Sequence, residues 1–150
     1  MTMRHHYNTP PFAFNSSGLV QPNTQQWRVN GMFDPDFSGI GHQPLYFDQV
    51  TPIYNHYTVL ESEIIVKVTV ISDGTEPTES PYAAFGLYIE DDTSVNPNTY
   101  VGMAEQPSAV TSTARFNGEP HVIRKKWNAR QAFGGNTMDN DQLRGTGAGN

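Results

Sequence analysis

The sequence predicts an all-β domain of sandwich or barrel type with one short helix, and three observations carry that reading. Two stretches alternate apolar and polar residues in strict period two. Residues that make turns are abundant, with 13 Gly, 11 Pro and 12 Asn among 150. Helical periodicity is nearly absent, so short strands joined by long loops are expected.

The elements follow in chain order. Phe47, Val50, Tyr54 and Tyr57 fall at 3, 4, 3 spacing, which lines one helical face. Pro52 is comfortable only in a first turn, so a helix near 48–57 has two or three turns at most, with Asp48 or Thr51 as its N-cap. The clearest strand lies within Val59 to Ile71, where Ile64, Val66, Val68 and Val70 alternate with Glu63, Ile65, Lys67 and Thr69. A loop from Ser72 to Pro81 then reverses the chain. Ala83, Phe85, Leu87 and Ile89 repeat the alternation against Tyr82, Ala84, Gly86 and Tyr88, giving a second strand. After another loop, Glu90 to Thr99, weaker strand signals sit at Val101, at Val110 and over Val122 to Trp127, ahead of a Gly- and Asn-rich tail. The expected core residues are Ile64, Val66, Val68, Val70, Phe85 and Leu87.

Composition bounds the function. A chain of 150 residues and 16.7 kDa reads as one domain, residues 1–150, able to bury about two thirds of its unfolded surface. The 36% hydrophobic fraction is low, but 8 Phe, 7 Tyr and 2 Trp concentrate apolar surface on few side chains. The absence of cysteine excludes disulfides, thiolate metal sites and a cysteine nucleophile. No apolar run approaches the roughly 20 residues of a membrane span, and Met1 to Pro10 lacks the pattern of a signal peptide. A net charge of −6 argues against a free-standing nucleic-acid binder, which carries a basic footprint.

Motifs for chemistry are weak. Asp34-Pro35-Asp36-Phe37-Ser38-Gly39 resembles the opening of a calcium loop, whose closely spaced carboxylates supply hard oxygen ligands, but the twelfth position, where a bidentate Glu is needed, is Leu45. Asp-Pro and Ser-Gly pairs are also ordinary turn chemistry. None of His5, His6, His42, His56 and His121 forms a ligand-spaced pair, and His5-His6 lies on a terminus expected to be mobile. Ser38 is a fragment of a nucleophile elbow at best, and Gly39-Ile40-Gly41 lacks the third glycine of a dinucleotide fingerprint. Asn15-Ser16-Ser17 is a glycosylation sequon of the kind that arises by chance in such a composition. The expectation is a non-enzyme without metal or cofactor.

Charge distribution says more than net charge. From Gly31 to Ala114 there are 12 acidic residues and one basic residue, Lys67, whereas Arg115 to Asn150 holds six basic residues against three acidic. Arg124, Lys125, Lys126 and Trp127, with Arg115 and Arg130, combine cations with an indole, the mixture that holds single-stranded nucleic acid without sequence preference. A solvated basic strand, or a patch complementary to an acidic neighbouring subunit, explains the same residues equally well. Exposed Trp27, Tyr46, Tyr54, Tyr57 or Trp127 near Asp and Asn side chains would instead suit a carbohydrate-binding sandwich.

Several segments together resemble a known family. Phe33-Asp34-Pro35-Asp36, Gly41-His42-Gln43-Pro44, Phe47-Asp48-Gln49 and Tyr54-Asn55-His56-Tyr57, then Arg124-Lys125-Lys126, Phe133-Gly134 and Asp139-Asn140-Asp141-Gln142-Leu143, look like the capsid proteins of circovirus-like small circular single-stranded DNA viruses. The resemblance spans roughly residues 27 to 145. It implies a single jelly roll of two four-stranded antiparallel sheets, a homo-oligomer of 60 copies closing into an icosahedral shell, packaged single-stranded DNA, and location in the virion with assembly in the host nucleus. The family begins with an Arg-rich arm, whereas only Arg4 precedes Arg28 here, and it continues into further strands beyond a position like Asn150. The expectation is therefore a truncated chain.

Overall fold

A computed structural model describes residues 1–7, 24–54, 56–71, 82–91, 99–135, 137, 140 and 143–146. The loop expected at Ser72 to Pro81, most of that at Glu90 to Thr99, the sequon at Asn15 and the segment Asp139, Asp141 and Gln142 lie outside the described residues. Three short helices and six strands are present among those described: α1 (Phe47–Val50), β1 (His56–Thr58), β2 (Glu61–Val68), β3 (Tyr82–Leu87), α2 (Tyr100–Ala104), β4 (Val110–Arg115), β5 (His121–Asn128), α3 (Ala129–Phe133) and β6 (Arg144–Thr146). The strands form three two-stranded sheets, β1 with β6, β2 with β5 and β3 with β4. The fold is all-β in antiparallel sheets. The chain divides into two compact units, one carrying the N-terminal residues, Thr24–Glu63 and Lys126–Asn150, the other carrying Ile64–Lys125.

In the second unit the period-two patterns keep their phase. Ile64, Val66 and Val68 are half-buried while Glu63, Ile65 and Lys67 face out. β3 and β4 pair antiparallel with Ala83 opposite Ala114, Phe85 opposite Ser112 and Leu87 opposite Val110. Val70, Ala83 and Ala114 form the buried centre, and Val68, Phe85 and Phe116 pack against it. Of the expected core residues, Val70 is buried and Ile64, Val66, Val68, Phe85 and Leu87 are half-buried. The weak strand signal at Val110 is β4.

The signal at Val101 is not a strand. It belongs to α2, where the Thr99 hydroxyl accepts from the Gly102 amide at 3.0 Å, an N-cap that outweighs the β propensity of one valine. Gly86 makes room for this helix, since a Cβ there would stand 2.8 Å from the Val110 carbonyl oxygen and 3.1 Å from Met103 Sδ.

In the first unit Phe47 is 1% exposed and meets Phe33 and Tyr57 edge-on, at 5.7 and 6.4 Å between ring centroids. The single helix expected near 48–57 is instead one turn over Phe47–Val50 followed by turns through Ile53, and two further helices stand elsewhere. Neither Asp48 nor Thr51 is its N-cap. Tyr46 takes that position in the left-handed region, with φ 71° and no side-chain cap. Tyr57 shares the Phe47 cluster from β1, not from a helical face, and Tyr54 is exposed. Gly145 lies opposite Tyr57 in the β1–β6 ladder because a side chain there would collide with the tyrosine ring.

The end of β5 is fixed by its side chains. Asn128 donates from Nδ2 to Glu61 Oε1 at 2.7 Å, and the Ala129 amide donates to the Leu60 carbonyl at 2.9 Å. These bonds set the end of β5 beside the start of β2, so the two strands run antiparallel. Asn128 Oδ1 also caps α3 by accepting from Arg130 and Gln131 amides, and Gly134 with φ 68° follows the last turn.

Candidate functional site

The most elaborated polar cluster is a turn in the first unit running from Trp27 to His42. Its base is a bridge between Trp27 and Asp36, flanked by the Arg28 amide donating to the Pro35 carbonyl at 2.7 Å and the Phe37 amide donating to the Gln26 carbonyl at 3.1 Å. Asp34, 8% exposed, organises the interior. Its Oδ1 accepts from the Asp36 amide and its Oδ2 from the Gly41 amide, both at 3.1 Å. Asp36 Oδ1 accepts from the Ser38 amide at 2.9 Å and from Gln25 Nε2 at 3.1 Å. The carboxylates spaced like a calcium loop therefore spend their oxygens on their own turn. Among the described residues no group of three or more His, Asp or Glu side chains is arranged to hold a metal ion.

The N-terminal residues lie on this turn. Tyr7 donates its hydroxyl to the His42 carbonyl at 3.0 Å, and its ring meets Trp27 edge-on and His42 at a tilt, each at 4.5 Å. His5 stacks parallel on Tyr7 at 5.9 Å and stands 5.8 Å from the His42 ring. Gly41 is required for this approach: a Cβ there would run into Asp34 and come within 2.8 Å of Asp36 Cβ and 3.0 Å of the Tyr7 hydroxyl. Burial, and secondarily the neighbouring His42, pushes the His5 imidazole below its ordinary value. Burial, then the charge of Asp34, pushes the Tyr7 phenol up. The terminus expected to be mobile is in this part anchored. The signal for that in the sequence is only the run of rings His5, His6 and Tyr7, which composition alone does not distinguish from a polar tail.

The expected basic cluster is split by the pleat of β5. Arg124 and Lys126 point outward with Val122, while Ile123, Lys125 and Trp127 point inward. The Lys125 ammonium donates to the Ser108 carbonyl. Trp127 is 8% exposed and packs edge-on against Phe133 at 6.2 Å, so its indole offers no open face for stacking on a base. Arg115 and Arg130 are exposed at the ends of their elements.

The aromatic residues considered for sugar stacking also separate. Trp27 is engaged by Tyr7, and the Tyr57 hydroxyl accepts from the Met32 amide at 3.3 Å. Tyr46 and Tyr54 keep exposed rings. No described helix is long and apolar enough to cross a membrane. Comparison with protein-family models, with curated proteins and with solved structures gives no match in any of the three.

Proposed function

We propose that this chain is a viral coat subunit, a single jelly roll that self-assembles into a small icosahedral shell around circular single-stranded DNA and catalyses nothing. The observation that supports this most is the distribution of apolar side chains. Among the described residues, 14 large hydrophobic side chains are exposed against 7 buried hydrophobic residues, three of them alanine. Solvated monomers keep such surface scattered, whereas subunits of obligate assemblies cover it with copies of themselves. Ile65 and Val122 stand on the outward faces of β2 and β5 at 52% and 51% exposure, in positions a solvated strand gives to polar residues. The resemblance of residues 27 to 145 to circovirus-like capsid proteins points the same way, as does the separation of acidic from basic sequence, which suits contacts between unlike surfaces of neighbouring copies.

In this reading the outward Arg124 and Lys126, with Arg115 and Arg130, supply the chain's own share of phosphate neutralisation inside the virion. Lys125 and Trp127 act as structural residues. Electron microscopy and sedimentation of the purified protein at physiological salt test the reading. Particles or pentamers are expected, and monomers alone at high concentration would overturn it. A carbohydrate-binding β-sandwich is the second reading, favoured by the exposed Tyr46 and Tyr54 rings, with Asp48 between them in the sequence. It requires glycan binding by a monomer, and a glycan array without hits removes it.

A further inference from the structure

We propose that the Met1–Tyr7 segment is a proton-released strap, docked on the Trp27–His42 turn at neutral pH and let go when His5 takes up a proton in mildly acidic solution. The described docking contacts pass through the two rings His5 and Tyr7. His5 lies flat on Tyr7 at 5.9 Å, His42 is 5.8 Å from His5, and Tyr7 holds Trp27 and the His42 carbonyl. His5 Nδ1 is shut off from solvent and has no hydrogen-bond partner among the described residues. A proton placed there faces desolvation beside the His42 ring, which stands less than 6 Å away and disfavours it.

The groups facing His5 do not all act alike. His42 disfavours the proton, while the Asp34 carboxylate and the carbonyls of His42 and Met32 favour it. Asp34 is already committed through both oxygens to the Asp36 and Gly41 amides, and burial remains the largest influence on His5. Tyr7 stays neutral throughout this range because its phenol is pushed up, and Asp36 acts on it and not on His5. On the strap itself Arg4 adds positive charge without a described ion pair to hold it.

The sign follows from linkage. A histidine held below its ordinary value of 6.5 in the docked state binds protons more readily when released. Docking is therefore most favoured above that pH and weakens as pH falls below it. For one such group the released-to-docked ratio rises by up to about tenfold between pH 7.5 and 5.5. The inference concerns the free surface of this chain and stands whether or not the chain forms shells.

The chain contains no cysteine, so Thr2→Cys carries a single nitroxide label on an exposed position. Spin-label mobility is recorded from pH 7.5 to 5.5 on the full chain, with far-UV circular dichroism as a control for global unfolding. The expected result is a rise of several-fold in the mobile fraction with unchanged circular dichroism. His5→Phe keeps a ring on Tyr7 and removes the proton site, so it is expected to abolish most of the rise. His42→Gln removes the imidazole that disfavours a proton on His5 and is expected to reduce the rise, read against its own pH 7.5 baseline because it also loses ring contacts to His5 and Tyr7. A label equally immobile at both pH values, a rise coincident with loss of circular dichroism, or a rise unchanged in both variants would overturn the proposal.

Discussion

Replacing Asp34 tests whether one buried carboxylate holds the Trp27–His42 turn together. Asp34 accepts from the Asp36 and Gly41 amides, each at 3.1 Å, and is 8% exposed. Hydrogen bonds to a charged acceptor contribute about 1.5–3 kcal/mol each. In Asp34→Ala both amides lose that acceptor, but Asp36 and Gly41 are only half-buried and water reaches part of each. The low end of the range therefore applies to both bonds, and the expected loss is about 3 kcal/mol. Asp34→Asn keeps one oxygen and presents an amide N–H₂ to the other donor, so roughly half of that loss is expected, about 1.5 kcal/mol. Urea unfolding at pH 7.5 followed by tryptophan fluorescence reads the right part of the chain, because Trp27 and Trp127 both lie in the unit that contains Asp34. A loss under 1 kcal/mol for Asp34→Ala, or Asp34→Asn as damaging as alanine, would refute the assignment of the turn's stability to these two bonds.

Three further substitutions probe other parts of the fold. Phe47→Ala removes the one large side chain that is fully buried among the described residues, with its two edge-on ring contacts, and should cost about 3–5 kcal/mol in the same urea assay. Tyr46→Asn should stabilise by about 0.5–1 kcal/mol, since φ 71° suits asparagine better than tyrosine and the ring lost is exposed, and a lower midpoint would contradict this. Gly86→Ala places a methyl 2.8 Å from the fixed Val110 carbonyl and should cost about 1–3 kcal/mol, with faster hydrogen exchange in β3 and β4 as its local mark.

The sequence resolves β2 well because a half-buried face alternates with an exposed one along its length, and β3 because Ala83 is buried between exposed Tyr82 and Ala84, asymmetries that period two reports directly. It resolves β4 poorly, as Val110–Arg115 reads V-T-S-T-A-R, whose small residues have little contrast between faces even though Ala114 is buried. The helix reading around Phe47 fails for a physical reason: the spacing of Tyr54 and Tyr57 matches a helix, but the chain has already left it after one turn, and Tyr57 returns to Phe47 from a strand. Two helices escaped because their signals are caps, not periodicity. Thr99 before α2, and Asn128 with Gly134 around α3, are short-range patterns that five-residue helices depend on almost entirely. The docking of His5 and Tyr7 has no periodic signal in the sequence, since it joins them to Trp27 and His42, far along the chain, through edge-on and tilted ring contacts.

The basic cluster shows how linear charge differs from charge on a surface. In sequence, Arg124, Lys125, Lys126 and Trp127 are contiguous, and in a flexible tail all four could reach one strand of DNA. A β-strand separates neighbours onto opposite faces, so only alternate residues act together. The inward set then obeys core chemistry: the Trp127 indole is covered, and the Lys125 ammonium is satisfied by the Ser108 carbonyl, as a half-buried cation must be. The outward set retains two cations, Arg124 and Lys126. With a net charge of −6 on the chain as a whole, β5 contributes two outward charges, not four charges and a stacking ring, to any contact with a polyanion. Substituting both Arg124 and Lys126 by Gln should therefore remove the contribution of β5 to the salt dependence of DNA retention, lowering the slope of log affinity against log salt by about 1.4 for single strands. Lys125→Gln should leave that slope unchanged.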